Sequence, residues 1–130
     1  MKTILFACAQ NAGRSQIAAA LFNKLADPKK AKAISAGTSP AKRVHKNVII
    51  ALQQSGINIS NAVPILLTKE LASQASLLVT MGCEESCPHV PGLKLEKWDI
   101  EDVEGKSIEE TVEIQKKIEK RVKELIHRIE

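Results

Sequence analysis

Residues 2–15 read KTILFACAQNAGRS, and they place an apolar run, a loop of small residues and the start of a helix in immediate succession. The apolar run predicts a buried strand over residues 3–7. After the loop, apolar side chains recur at helical spacing, which predicts a helix over residues 15–26. The loop CAQNAGRS (8–15) therefore joins a strand to a helix, with a cysteine at its beginning and an arginine near its end.

The rest of the chain alternates between the same two patterns. Further strands are predicted in AKAISAG (31–37), ASLLVTMG (75–82) and KLEKW (94–98), and INIS (57–60) is short and extended. Helices are predicted over 39–56 and from Ser107 onward, where SIEE forms a capping box, and a helical turn begins at Thr68. Alternating strands and helices indicate an α/β fold with a mostly parallel sheet, formed by one domain over residues 1–130.

Length and composition are those of an ordinary soluble domain. The 130 residues are 44% hydrophobic and 26% charged, and no apolar run approaches the length of a membrane span. The apolar stretch before Cys8 is about five residues, too short for the core of a signal peptide. Three cysteines, an odd number, argue against a secreted disulfide framework. We therefore expect a cytoplasmic protein that does not bind membranes.

Charge is distributed unevenly along the chain. Residues 1–65 contain nine Lys or Arg and one acid, a net charge of +8, whereas residues 66–130 contain ten Lys or Arg and fourteen acids, a net charge of −4. The basic half contains the Cys-Arg loop, so an anionic substrate is favoured, although exposed lysines alone also explain the charge. With no Tyr, two Phe and one Trp, the chain lacks the stacking surface of a nucleic-acid-binding protein.

The loop itself has the composition of an anion-binding site. Between a strand and a helix, its small residues allow successive backbone N–H groups to surround a tetrahedral oxyanion, and Arg14 can bind two oxygens at once. The same positive field favours the thiolate form of Cys8, to which Ser15 can donate a hydrogen bond. The positions expected to bind the anion are Ala9, Gln10, Asn11, Ala12, Gly13 and Arg14. The simpler alternative is a buried structural cysteine and a surface arginine.

A second cysteine pair follows the strand predicted over 75–82. Cys83 and Cys87 lie among charged residues and a proline, which favours an exposed loop, and a spacing of four places both on one side of a helical turn. With His89 the pair also resembles a metal knuckle, but a zinc site requires four ligands at recognised spacings. We expect no metal and no cofactor.

With these motifs, the chain resembles the low-molecular-weight protein tyrosine phosphatase family, whose signature is Cys-x5-Arg-Ser after the first strand. It is more similar to the arsenate reductases of this fold that use thioredoxin. Five segments match the family: CAQNAGRSQIAAA (8–20), ISAGT (34–38), GINISN (56–61), LLVTMGCEESCP (77–88) and WDIEDVEGKS (98–107). The chain departs from it by having Asp102-Val103 in place of Asp-Pro, no tyrosine, and Ile65 where a lysine is common.

The resemblance implies a three-layer sandwich and a three-cysteine relay. Cys8 would attack arsenate, Asp102 would protonate the leaving oxygen, and Cys83 and Cys87 would carry the oxidation to thioredoxin. Phosphate would compete with arsenate, and we expect a monomer. Two alternatives remain open at this point: a phosphatase acting on phosphotyrosine or a small phosphate ester, and a non-enzymatic protein that binds an oxyanion or a metal through thiols.

Overall fold

The computed structural model describes residues 1–82 and 90–129, in which strands and helices alternate along the chain. Their order and bounds are β1 (Lys2–Cys8), α1 (Arg14–Leu25), β2 (Ala31–Gly37), α2 (Lys46–Gln54), α3 (Lys69–Ser73), β3 (Leu77–Thr80), β4 (Lys94–Lys97) and α4 (Ile108–Ile129).

The four described strands form one parallel sheet in the order β2-β1-β3-β4. The chain moves outward from β1 to β2 on one side and then continues with β3 on the other side, so the strand order reverses at β1. In open α/β sheets the crevice beyond the carboxyl ends of the strands at such a reversal is where ligands bind. Cys8 lies at that end of β1, opposite Gly37 of β2.

The side chains of β1 alternate between two separate cores, as the pleat of a strand requires. Ile4, Phe6 and Cys8 belong to the larger core, which is closed by α1, α2 and α4. Leu5 and Ala7 face the other side of the sheet, where a smaller core includes residues of α3. Helices therefore cover both faces, and the prediction of a three-layer α/β sandwich is confirmed.

One predicted helix start was wrong. The helix expected over 39–56 is present only as α2, because the backbone N–H groups of Ser39, Ala41 and His45 donate to the Cys-Arg loop instead of to a helix. The segment INIS (57–60) belongs to none of the four strands, and Gly37 and Leu66 form an isolated parallel bridge beside them.

The predicted starts of the helices at Thr68 and Ser107 agree with the structure. Ser107 Oγ accepts from Glu110 N, and Glu110 Oε1 accepts from Ser107 N, each at 3.1 Å, so the capping box of α4 is formed. Thr68 Oγ1 accepts from Leu71 N at 3.1 Å and caps α3. None of the helices in the described ranges is both long and apolar enough to cross a bilayer.

Candidate active site

Cys8 is the last residue of the central strand, and only 3% of its surface is exposed. Its Sγ atom lies 2.9 Å from the hydroxyl of Ser15, which is fully buried in the first turn of α1. The thiol therefore lies between the end of the sheet and the beginning of a helix, where the helix dipole favours negative charge.

The backbone carbonyls of the loop after Cys8 all face the surrounding protein. Every carbonyl oxygen from residue 8 to residue 12 accepts a hydrogen bond from the surrounding protein, and the donors are Thr38 N, Ser39 N, Ala41 N, Gln16 Nε2 and His45 N, at 2.8–3.3 Å. In a trans peptide the N–H group points opposite to the carbonyl, so the N–H groups of residues 9–13 are turned away from these donors. Consecutive N–H groups directed to one side form an anion-binding concavity.

Asn11 determines the direction of the hydrogen bonds that reach the thiol. Its Oδ1 accepts from Ile65 N at 2.9 Å and from Gln16 Nε2 at 3.2 Å, so its Nδ2 is the atom that faces Ser15. Asn11 Nδ2 donates to Ser15 Oγ at 2.7 Å. Since this Oγ already accepts one hydrogen bond, the Ser15 hydroxyl hydrogen is available to the sulfur of Cys8. Such a donor stabilises a thiolate.

Gly37 allows the loop to approach the end of β2. A Cβ atom at this position would lie 2.6 Å from Ala9 O and 2.8 Å from Asn11 N. Both atoms belong to the backbone of the loop, so any larger residue would displace the loop itself.

Arg14 begins α1 and presents its guanidinium to the same crevice. Its NH1 donates to Ile100 O at 2.8 Å, and its side chain is 14% exposed. Its Nε is buried and has no hydrogen-bond partner within the described part of the chain. A Cβ atom at Gly82, where φ is 91°, would lie 2.9 Å from NH1. The Nε–NH2 edge of a guanidinium has the geometry to bind two oxygens of one oxyanion.

Asp102 lies on the opposite side of the crevice, in the segment between β4 and α4. Its Oδ2 is 4.0 Å from Arg14 NH2, and its side chain is 55% exposed. The next residue, Val103, is fully buried, and a Cβ atom at Gly13 would overlap its Cγ2. Val103 therefore packs directly against the anion-binding loop and keeps Asp102 near it.

The structure brings together most of the residues that the sequence singled out: Cys8, Ala9, Gln10, Asn11, Ala12, Gly13, Arg14, Ser15 and Asp102. Cys83 and Cys87 lie outside the described residues. Among residues 1–82 and 90–129, no group of three or more His, Cys, Asp or Glu is placed to hold a metal ion.

Sequence reasoning missed two groups that position the site. Gln16 is 7% exposed and binds the main chain and side chain of Asn11, although a polar residue in a first helical turn is ordinarily read as surface. The carbonyl of Ile100, which holds Arg14, carries no signal in the sequence because any residue type supplies it.

Comparisons with known proteins agree with this geometry. Residues 3–130 match the sequence profile described as low molecular weight phosphotyrosine protein phosphatase. A protein named arsenate reductase 2, from Staphylococcus haemolyticus, is 33% identical over 108 residues, covering 81% of this chain and 81% of that protein.

Two solved structures are similar along nearly all of this chain. Arsenate reductase from Archaeoglobus fulgidus superposes with a TM-score of 0.83 at 34% identity, covering 95% of this chain and 98% of that one. The thioredoxin-dependent arsenate reductase of Corynebacterium glutamicum superposes with a TM-score of 0.85 at 38% identity, covering 99% of this chain but 62% of that one. The resemblance to arsenate reductases with this phosphatase fold, predicted from the motifs, is confirmed.

Proposed function

Because this chain belongs to the low molecular weight phosphotyrosine protein phosphatase family, we propose that it is an arsenate reductase in which Cys8 is the nucleophile. The observation that carries the proposal is the position of the Cys8 thiol, 2.9 Å from Ser15 Oγ at the start of a loop in which every carbonyl from residue 8 to residue 12 accepts a hydrogen bond from the surrounding protein. The names of its relatives and the second cysteine pair in its sequence favour reduction over phosphate-ester hydrolysis.

The first step is attack on arsenic. The Cys8 thiolate forms an S–As bond while one As–O bond breaks, and Asp102 gives a proton so that this oxygen leaves as water. The loop N–H groups and the Nε–NH2 edge of Arg14 bind the remaining oxygens, where negative charge is greatest. Phosphate has the same shape and charge, so it competes for this position.

The second step uses the other two cysteines. Cys83 attacks the Cys8 sulfur, an S–S bond forms, and the electron pair of the broken S–As bond passes to arsenic, which leaves as arsenite. Cys87 then attacks Cys83 and releases Cys8 as a thiolate. Arsenic gains two electrons, and two thiols become one disulfide, so electrons balance without a cofactor.

A protein dithiol must then reduce the Cys83–Cys87 disulfide. Thioredoxin is the reductant we propose, since the similar protein from Corynebacterium glutamicum is described as thioredoxin-dependent. Repeated reduction of this disulfide requires a reducing compartment, which the cytoplasm provides. We propose that the protein acts there as a monomer.

The test compares two reactions in the same set of variants. Arsenate reduction with a thioredoxin system and hydrolysis of p-nitrophenyl phosphate are measured side by side. Cys8→Ser is expected to abolish both reactions, whereas Cys83→Ser and Cys87→Ser abolish only reduction, because hydrolysis needs no second thiol.

Three results would contradict the proposal at different points. Multiple-turnover reduction by Cys87→Ser with thioredoxin alone removes Cys87 from the relay. Hydrolysis of p-nitrophenyl phosphate without any arsenate reduction establishes a phosphatase. Binding of arsenate without either reaction establishes a non-enzymatic oxyanion-binding protein.

A further inference from the structure

The segment that carries Asp102 has no helix or strand of its own. Residues 99–106, here named the acid loop, connect β4 to α4, and more than half of the Asp102 side chain is exposed on it. A proton donor must be held within hydrogen-bonding distance of the oxygen it protonates. The position of Asp102 therefore depends on what holds the acid loop in place.

The second half of the acid loop is a β-turn. Lys106 N donates to Val103 O at 3.1 Å, and Gly105, the third residue of the turn, has a φ of 74° that glycine adopts readily. Glu104 N, inside the turn, donates to Asp102 Oδ1 at 3.2 Å. The orientation of the Asp102 carboxylate is thus tied to this turn.

Asn47, in the first turn of α2, holds the β-turn from outside. Its Nδ2 lies 2.9 Å from Val103 O, 3.2 Å from Lys106 O and 2.8 Å from Thr111 Oγ1. One amide group therefore contacts both ends of the turn and the first turns of α4.

The directions of these hydrogen bonds agree with one another. The Thr111 hydroxyl donates to Ser107 O at 2.7 Å, so its Oγ1 is an acceptor for Asn47. The two backbone carbonyls are acceptors only. The two hydrogens of the Asn47 amide serve all three acceptors, so one hydrogen is shared between two of them, and a residue of the same size without donors satisfies none.

We propose that Asn47 is a positioning residue for the chemical step, which it serves by holding the turn that orients Asp102. The proposal rests on the proposed function, in which Asp102 is the proton donor. The three hydrogen bonds of the Asn47 amide go to the turn and to Thr111, and none of these groups belongs to the Cys-Arg loop. Its loss is expected to slow the protonation of the leaving oxygen and to leave anion binding unchanged.

Asn47→Leu, which has a similar volume and no donors, tests this. We expect kcat to fall by about tenfold, a part of the 10²- to 10⁴-fold that a general acid typically contributes. We expect KM and the stabilisation by phosphate to change by less than about twofold, since the anion-binding loop is intact. A loss that is confined to thermal stability, with kcat unchanged, would overturn the proposal.

Gln115→Leu is the matched control. Gln115 also supplies an amide between α4 and the end of α2, donating to Ser55 Oγ at 2.8 Å, which is remote from the hydrogen bonds that hold the acid loop. It is expected to lower Tm without lowering kcat. If it lowers kcat as much as Asn47→Leu does, the effect is a general loosening of α4, and the proposal is wrong.

A double-mutant cycle with Asp102→Asn distinguishes action through Asp102 from an independent effect. If Asn47 acts through Asp102, the double variant is no slower than Asp102→Asn alone, whereas multiplied losses overturn the proposal. The cycle is run with arsenate and with p-nitrophenyl phosphate, because both reactions need Cys8 and a proton donor. If the wild type hydrolyses p-nitrophenyl phosphate but does not reduce arsenate, the proposed function is wrong. The double-mutant cycle measured with the ester still decides the role of Asn47 in that case.

Discussion

Asn11 connects the Cys8 thiol, through Ser15, to the rest of the loop over residues 8–15. Its φ of 51° lies in the left-handed region, which asparagine adopts more readily than most residues. The backbone there turns sharply, while the side chain receives two hydrogen bonds and gives one to Ser15. One residue type thus satisfies both the backbone and the hydrogen-bond requirement.

Arg14 gives the prediction at this scale. Phosphate at about 100 times its Kd stabilises a folded protein by about 2.7 kcal/mol when it binds the folded state alone. Arg14→Lys is expected to lose most of that stabilisation, because lysine has neither the two-pronged edge nor the fixed contact with Ile100 O. The measurement is Tm in phosphate and in chloride at equal ionic strength, with the exposed Arg43→Lys as control.

A phosphate-dependent Tm shift that survives in Arg14→Ala would show that phosphate binds elsewhere. The phosphate-dependent Tm shift must be unchanged in Arg43→Lys for the comparison to hold. Arg43 is exposed, and this substitution replaces a planar guanidinium with an ammonium of the same charge.

At the scale of elements, α4 is joined to the edge strand β4 by one ion pair. Arg128 donates from NH1 and NH2 to the two carboxylate oxygens of Glu96, at 3.0 and 2.9 Å. Trp98 Nε1 donates to the same carboxylate, and its indole ring lies 5.5 Å from the ring of Phe6. The ion pair therefore links α4 to the edge strand beside the aromatic side chains of the larger core.

This ion pair predicts a pH dependence of stability. The hydrogen bonds from Arg128, and secondly from Trp98, hold the pKa of Glu96 below its ordinary value of 4.5 against the opposing effect of burial. A lowered folded-state pKa stabilises the protein above the unfolded-state pKa, and the stabilisation is lost as pH falls through the folded-state value. Glu96→Gln is expected to cost about 1 kcal/mol or less near neutral pH, since the pair is partly exposed, and to cost less in acid.

The measurement is urea unfolding of wild type and Glu96→Gln at neutral pH and below pH 4.5. Glu113→Gln, which removes an exposed pair with Lys116, is the control and is expected to be nearly neutral at both pH values. A difference in the free energy of unfolding between wild type and Glu96→Gln that grows on acidification would contradict a lowered pKa of Glu96.

At the scale of the whole molecule, the larger core joins the elements that form the site. Phe6 is fully buried in the central strand, with its ring 6.0 Å from Phe22 of α1 and 5.5 Å from Trp98 beside the acid loop. One side of the crevice is the start of α1, and the other is the acid loop before α4. Both pack against β1, the strand that ends in Cys8.

Phe6→Ala is expected to destabilise the whole fold. Removal of a buried phenylalanine ring lowers the free energy of unfolding by about 3–5 kcal/mol, which is a large part of the 5–15 kcal/mol of a typical domain. Urea unfolding followed by circular dichroism measures the change. Leu95→Ala, at a position 56% exposed on β4, is the control and is expected to change stability by less than about 0.5 kcal/mol. A comparable loss in both variants would contradict the placement of the core.

The sequence by itself determined the local elements and identified the candidate residues of the loop after β1. The strand, loop and helix within residues 2–25, the bounds of β2 and the capping box at Ser107 follow from periodicity and turn chemistry over a few residues. The spacing of Cys8, Arg14 and Ser15 identified the candidate anion-binding loop for the same reason, since all three lie within one strand-to-helix connection.

Only the tertiary structure decided what holds these groups in place. Arg14 meets a carbonyl 86 residues away, and Asn47 meets one 56 residues away. Residues 39–45 support the loop where periodicity had predicted a helix. Such contacts depend on the order of the strands and on which backbone groups remain without partners, and neither is encoded in the pattern of a single segment. The candidate residues of this loop are therefore readable from the chain, whereas their positioning is a property of the assembled fold.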